Sequence, residues 1–238
     1  MEHTDFSWTS PEHVQFYAQD WTPANHIIAS ITLVHGLGEH SSRYQHLAEY
    51  FCERGISVLS YDQRGHGRTE GKRGHIPSYE TAAQDTKHFI LENHQRHPDS
   101  HHFLYGHSLG GAMALYYTMT EKTGIEGTIV TDPGLAPGDP LPPAKLVLAK
   151  FMAKVAPSFT LPNGLDRENL SRDREVIQRY NNDPLVHDQV SASLGMNLIS
   201  KGYALFYMNK KNKHPSIPDG AKYSAIDSPE MFQKYVGA

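Results

Sequence analysis

Apolar runs alternate with segments of helical periodicity along the first half of the chain. Five runs have the length and composition of strands and lie at residues 13–18, 27–34, 56–61, 101–105 and 127–131. Between them, we predict helices after the capping residues Ser41 or Ser42, over 79–93 and over 109–117. Residues 21–25 contain Pro and Asn and predict a turn. This alternation is typical of an α/β fold in which helices flank a mostly parallel central sheet.

The pattern changes in the second half of the chain. Residues 132–143 are rich in Pro and Gly and mark a boundary. Beyond them we predict an amphipathic helix over 144–156, a short helix that starts at 171–175, and a helix over 187–209. The first of these has one apolar side, made of Val147, Leu148, Phe151, Met152 and Val155. We therefore predict an α/β core at 1–133, a helical lid insertion at 134–190 and a return to the core at 191–238.

The segment 106–110 reads Gly-His-Ser-Leu-Gly, which matches G-x-S-x-G. A predicted strand leads into it and a predicted helix follows, which is the context of a nucleophile elbow. In such an elbow a serine stands on a sharp turn, and the flanking glycines relieve the crowding. We interpret Ser108 as a catalytic nucleophile, the alternative being a small residue in a tight turn.

A second glycine-containing turn follows the strand that ends at Val34. Its residues are His35-Gly36-Leu37-Gly38. An oxyanion hole uses the N–H after the nucleophile and one from the loop after an earlier strand, so we predict Leu109 and Leu37 as its donors. The alternative is an ordinary glycine turn. Asp62 and Arg64 follow the next strand, and we expect a structural ion pair or loop brace there rather than catalytic groups.

Composition narrows the classes of function. The chain has 238 residues, 20% charged and 38% hydrophobic, and a net charge of −4, which fits a globular protein and excludes a basic nucleic-acid-binding surface. We see no signal peptide and no apolar run of the roughly 18 residues that a membrane span needs. The single Cys52 cannot form an internal disulfide, which fits a cytoplasmic location. The 16 histidines lack ligand spacing, so we expect no metal site and no cofactor.

Six segments together resemble one family. They are HGLGEHSSRY at 35–44, YDQRGHGR at 61–68, GKRGH at 71–75, GHSLGG at 106–111, LSRD at 170–173 and DPLVH at 183–187. With these the chain resembles the monoacylglycerol lipase group of α/β-hydrolases, whose domain is labelled serine aminopeptidase S33. The resemblance implies a lipid ester substrate, chiefly monoacylglycerol, cleaved through an acyl-enzyme on Ser108. It also implies a lid that meets lipid, with peripheral contact to membranes or lipid droplets. The apolar side of the 144–156 helix suits such contact, the alternative being a helix that faces the core.

The C-terminal part departs from that family. The family has a further buried strand, the acid of the triad, and then the catalytic His. Residues 217–224 read IPDGAKYS without an apolar run, and no histidine follows His214. We therefore expect the last strands and the catalytic His to be missing.

The acid and base of a triad are harder to assign. We take Asp219 as the candidate acid, with Asp227 near the same place and Asp132 after the 127–131 strand as alternatives. His187 and His214 follow Asp132 in order, but neither fits the role of base, so the catalytic His is left unknown.

Two hypotheses follow from these observations. The chain is a lipid ester hydrolase, or it is a truncated or pseudoenzyme form that binds lipid or a partner protein without a complete triad. The sequence leaves the oligomeric state open.

Overall fold

The computed structural model describes residues 1–121, 124–135 and 142–211, with side chains as far as residue 202. The strands of the main sheet are β1 (Glu2–Thr9), β2 (Gln15–Thr22), β3 (Ala29–Val34), β4 (Ile56–Tyr61), β5 (His101–His107) and β6 (Gly127–Thr131). The helices are α1 (Gln45–Cys52), α2 (Tyr79–Arg96), α3 (Leu109–Thr120), α4 (Pro143–Val155), α5 (Arg174–Asn182) and α6 (Ala192–Lys211). A small hairpin pairs β7 (Thr160–Pro162) with β8 (Gln189–Ser191), and 3-10 turns lie at Ser41–Tyr44 and Arg167–Asn169.

The main sheet has the order β1-β2-β4-β3-β5-β6. The four strands β4, β3, β5 and β6 run parallel, while β1 and β2 are antiparallel to their neighbours. Every residue of β3 and β4 is buried, because helices cover both faces of the parallel part. The predicted α/β class with a mostly parallel sheet is confirmed. The prediction that the last strands of the sheet are missing concerns the C-terminal residues, which lie outside the described ranges.

Two apolar layers cover the two faces of the sheet. Ile31 and Leu33 point to the layer that α1 covers, where they meet Phe51. Val34 points to the opposite layer and packs with Phe89 of α2. Successive side chains of a strand alternate between faces, so the apolar side chains of β3 contribute to both layers. The sheet is therefore anchored on both sides, with the C-terminal ends of its parallel strands at one edge.

Two local predictions were wrong, and one strand was missed. The predicted 21–25 turn begins too early, because Trp21 is buried in β2 and pairs with Val58 of β4. The first strand, β1, was not predicted. The predicted 187–209 helix starts only at Ala192, because the preceding residues form β8 and pair with β7. Pairing between distant segments overrides local periodicity in all three cases.

The segment between β6 and α6 contains α4, α5 and the β7–β8 hairpin, and its description as a lid stays a prediction. The apolar side of α4 does not face the core. Val147, Leu148, Phe151 and Val155 are 58–67% exposed. None of the helices in the described part is long and apolar enough to cross a membrane.

Candidate active site

Ser108 stands at the turn between β5 and α3 in an unusual backbone conformation. Its φ is 52° and its ψ is −116°, a combination that L-residues rarely adopt. Hydrogen bonds fix this conformation from both sides: the Ser108 N–H donates to the Thr131 carbonyl, and the Gly134 N–H donates to the Ser108 carbonyl, each at 3.0 Å. The end of β6 and the residues after it therefore hold the serine on the turn.

The glycines of the elbow allow close backbone approach. A Cβ at Gly110 would overlap the carbonyl oxygens of Val34 and His35 at the end of β3. A Cβ at Gly106 would overlap the carbonyl of Gly110. The first turn of α3 thus lies directly against the start of the loop after β3.

That loop reaches Ser108. A Cβ at Gly36 would lie 3.3 Å from the Ser108 Cβ. In the described part of the chain, neither the Leu37 N–H nor the Leu109 N–H donates a hydrogen bond. Leu109 opens α3, where backbone N–H groups have no partner in the helix and carry partial positive charge. The loop and the elbow are therefore adjacent, and the assignment of Leu37 and Leu109 as oxyanion donors stays a prediction.

Glu39 supports the loop and was not singled out from the sequence. Its Oε1 accepts hydrogen bonds from the Gly36 N–H at 2.7 Å and from the Tyr44 hydroxyl at 2.6 Å. Its other oxygen lies 3.5 Å from Nε of Arg43. The only sequence signal is a carboxylate three residues after the glycine.

The loop after β4 is braced by Asp62, as expected. Its buried carboxylate accepts hydrogen bonds from the Ser41 N–H at 2.7 Å and from the Arg68 N–H at 2.8 Å. The ion pair expected here is different, however. Arg64 binds Asp85 of α2 rather than Asp62, with Nε donating at 2.6 Å and Nη2 at 2.8 Å.

Residues just before β8 clamp the loop after β3 from outside. Nε2 of His40 lies 2.8 Å from Oδ2 of Asp183. The His187 N–H donates to the Gly38 carbonyl at 2.9 Å, and the Arg43 guanidinium lies over the Tyr180 ring. We name this segment, residues 180–187, the stem. It links the predicted lid to the predicted oxyanion loop.

The described part of the structure does not bring a base to Ser108. The His187 ring packs 4.7 Å from the His66 ring, on the stem. No histidine in the described ranges forms a hydrogen bond with the Ser108 hydroxyl. Asp132 directly follows β6 with a φ of 46° and is exposed. The candidates Asp219, Asp227 and His214 lie outside the described residues.

The comparisons with known proteins fit this geometry. The family model described as Serine aminopeptidase, S33, matches residues 25–216, which is most of the chain. The chain belongs to this α/β-hydrolase family. An S33 α/β-hydrolase places its serine on the elbow between a parallel strand and a helix, as the chain does at Ser108.

Individual relatives point the same way. The chain is 36% identical over 216 residues to an abhydrolase domain-containing protein of Dictyostelium discoideum, covering 90% of this chain and 23% of that one. It is 32% identical to a monoacylglycerol lipase of Mycolicibacterium smegmatis, over 78% of this chain and 66% of that one. The crystal structure of a Paleococcus ferrophilus monoacylglycerol lipase superposes with a TM-score of 0.70 at 35% identity, over 90% of this chain and 76% of that chain. The chain thus spans less than a quarter of the first of these two curated relatives and just under two thirds of the second.

Three imidazoles of this S33-family chain are neighbours: His35 and His66 are fully buried, and His187 is half-buried. The rings are tilted, with centroids 5.5 Å apart for His35 and His66 and 4.7 Å apart for His66 and His187. Burial lowers the pKa of His187 to about 4. Burial, reinforced by the two neighbouring imidazoles, holds the pKa of His66 well below its usual range, and burial also lowers the pKa of His35. All three imidazoles are therefore neutral near pH 7.

These shifts predict a loss of stability in acid. Because unfolding exposes His187, the unfolded chain takes up a proton near pH 6.5 that the folded chain takes up only near pH 4. The unfolded state thus binds more protons in that window, and the free energy of unfolding falls as the pH falls through it. Urea unfolding of the wild type and of His187→Gln from about pH 7 to pH 4 measures the effect. The variant should show the shallower pH dependence, and parallel curves would contradict the assignment.

Proposed function

We propose that the chain is a serine hydrolase that cleaves carboxylic esters of lipids, with monoacylglycerol as the substrate and a fatty acid and glycerol as products. The observation that carries the proposal is Ser108 on its strained turn, with the loop after β3 against it. The kinship with two monoacylglycerol lipases supports the choice of substrate class.

The proposed reaction uses the serine hydroxyl as nucleophile. Ser108 Oγ attacks the ester carbonyl, and the Leu37 and Leu109 N–H groups bind the oxyanion of the tetrahedral intermediate. The base that takes the serine proton gives it to the glycerol oxygen as the ester C–O bond breaks, and water then hydrolyses the acyl-enzyme, which releases the fatty acid and restores the Ser108 hydroxyl. Asp219 is our candidate for the acid that orients the base, and the base itself is not assigned. A serine hydroxyl needs a base to remove its proton, so the rate depends on which group supplies that function.

A fluorophosphonate probe tests the nucleophile. We expect labelling of the wild type and of Ser7→Ala, whose serine is exposed on β1, and none of Ser108→Ala. Fatty acid release from 1-monooleoylglycerol should fall by a factor on the order of 10⁶ in Ser108→Ala. A folded wild type that is neither labelled nor active would contradict the hydrolase proposal. Stoichiometric binding of oleate by that protein would instead favour the non-catalytic lipid-binding alternative.

We also propose that the apolar side of α4 contacts a lipid surface. Val147, Leu148, Phe151 and Val155 are exposed along one side of this helix. Phe159 and Leu161, at the start of the small hairpin, are exposed as well. An amphipathic helix of this kind lies in a membrane interface with its apolar side among the acyl chains.

Vesicle binding tests this contact. Phe151→Asp should lower partitioning onto phosphatidylcholine–phosphatidylglycerol vesicles by about tenfold or more, because the transfer of a large apolar side chain contributes roughly 2 kcal/mol. Leu91→Asp is the matched control, since Leu91 is 53% exposed on α2, outside this surface. Co-sedimentation measures both variants. Equal losses in the two, or no loss in Phe151→Asp, would rule out α4 as the contact.

A further inference from the structure

His35 is fully buried, and the proposed reaction gives it no role. It directly follows β3 and precedes Gly36. Its Nδ1 lies 2.8 Å from the Gly36 carbonyl oxygen, and its Nε2 lies 3.0 Å from the backbone nitrogen of Gln63. Both ring nitrogens are therefore engaged by backbone groups.

These two contacts determine the tautomer. The Gln63 N–H can only donate, so Nε2 of His35 must be the unprotonated acceptor. The single proton of the neutral ring is then on Nδ1 and is donated to the Gly36 carbonyl. The side-chain nitrogen of Gln63 also lies 3.3 Å from Nδ1, but it donates to the His35 carbonyl at 2.6 Å. A protonated ring would lose the contact with the Gln63 N–H, and burial disfavours that form.

The Gly36 carbonyl shares a planar peptide unit with the Leu37 N–H. The described chain has no cis peptide bond, so the carbonyl and the N–H of this unit point in opposite directions. Fixing the carbonyl on the imidazole therefore fixes the direction of the Leu37 N–H. The hydrogen bond also polarises the peptide and strengthens its N–H as a donor.

We propose that His35 is a positioning residue: its neutral imidazole, protonated at Nδ1, fixes the plane of the Gly36–Leu37 peptide and so directs the Leu37 N–H to the oxyanion formed at Ser108. The proposal rests on the proposed function for the role of Leu37. Glu39 completes the arrangement, because its carboxylate holds the Gly36 N–H on the other side of the same residue. The backbone is thus restrained on both sides of the Gly36 Cα, by Glu39 at the N–H and by His35 at the carbonyl.

Two amide substitutions separate the two ring contacts. The side-chain nitrogen of His35→Asn occupies the place of Nδ1 and keeps the donor to Gly36. The amide of His35→Gln reaches the place of Nε2 and keeps the acceptor for Gln63, but loses the donor. Both remove the imidazole, so a merely structural role would affect them alike. Urea unfolding first establishes that each variant folds.

The kinetic readout compares p-nitrophenyl butyrate with p-nitrophenyl thionobutyrate, whose sulfur accepts hydrogen bonds poorly. We expect kcat for the ester to fall about 10²-fold in His35→Gln with KM little changed, the effect of losing one oxyanion donor. The ester-to-thionoester ratio of kcat/KM should fall with it and stay near the wild-type value in His35→Asn. An unchanged ratio in His35→Gln, or an equal fall in both variants, would overturn the proposal.

Nitrogen-15 NMR of the full chain tests the tautomer of His35 and its effect on the Leu37 N–H even if no turnover is measured. The imidazole of His35 should carry its proton on Nδ1, and a proton on Nε2 would overturn the proposal. Both variants lose the ring current of the imidazole, so the Leu37 amide resonance should move in both but clearly further in His35→Gln than in His35→Asn, and an equal or smaller shift in His35→Gln would also overturn the proposal. Absence of Ser108-dependent turnover in the wild type would instead contradict the proposed function alone.

Discussion

Gly110→Ala is expected to lower the free energy of unfolding by about 3 kcal/mol or more, at the upper end of overpacking effects. The new methyl group would overlap the carbonyl oxygens of Val34 and His35. These are backbone atoms at the end of a fully buried strand, so no flexible side chain can move aside. Either α3 shifts away from β3, or the turn at Ser108 opens. Urea unfolding followed by circular dichroism measures the loss.

Gly195→Ala is the matched control. Gly195 lies in α6, and among the described residues a Cβ there would meet only the Val190 Cγ2, at 3.9 Å. The same substitution should therefore raise the free energy of unfolding by roughly 0.5–1 kcal/mol, the difference in helix propensity. The two variants should change stability in opposite directions. A loss in Gly195→Ala as large as in Gly110→Ala would show that close approach to β3 is not the cause.

Arg64→Met is expected to lower the free energy of unfolding by about 3–5 kcal/mol. Its guanidinium forms two hydrogen bonds with Asp85, and the Asp85 side chain is only 6% exposed. Removing the cation leaves a buried carboxylate without its partner, which costs more than the pair itself contributes. Urea unfolding near neutral pH measures this change.

Two further variants distinguish the buried pair from the exposed one. Arg64→Met combined with Asp85→Leu should recover most of the stability, because no unpaired charge remains. Glu12 also binds Arg64, at 2.8 Å, but its side chain is 63% exposed, so Glu12→Gln should change stability little. A double variant as unstable as Arg64→Met would show that the loss of stability comes from the packing of the Arg64 side chain and not from the unpaired Asp85 carboxylate.

Local sequence signals predicted the centre of the fold well. The predicted strands at 56–61 and 127–131 coincide with β4 and β6, and the elbow lies between a strand and a helix as expected. β4 is fully buried and β6 is half-buried, and the apolar, β-branched composition of both is typical of strands in a parallel sheet. The parallel direction of these strands was expected from their alternation with helices, whereas their spatial order, β4-β3-β5-β6, comes from the structure.

Long-range contacts could not be predicted in the same way. His40 meets Asp183 across 143 residues, and the β7–β8 pairing joins segments whose periodicity gives no indication of each other. The strand β1 is mostly exposed, with alternating burial only toward its end, so an apolar pattern never marks it. The role of His35 depends on which backbone groups face its ring, and composition carries no such information. Apart from the Asp62 brace, the supports of the candidate site were therefore missed, although its central residues were singled out.

The backbone angles at Ser108 are ones that favour glycine over a residue with a side chain. A non-glycine residue in such a conformation costs about 1–3 kcal/mol, and glycine would adopt it without that cost. Ser108→Gly therefore removes a built-in strain from the folded chain. Position 108 is a site where the most stable sequence and the present sequence differ, so folding alone gives no reason for its hydroxyl group.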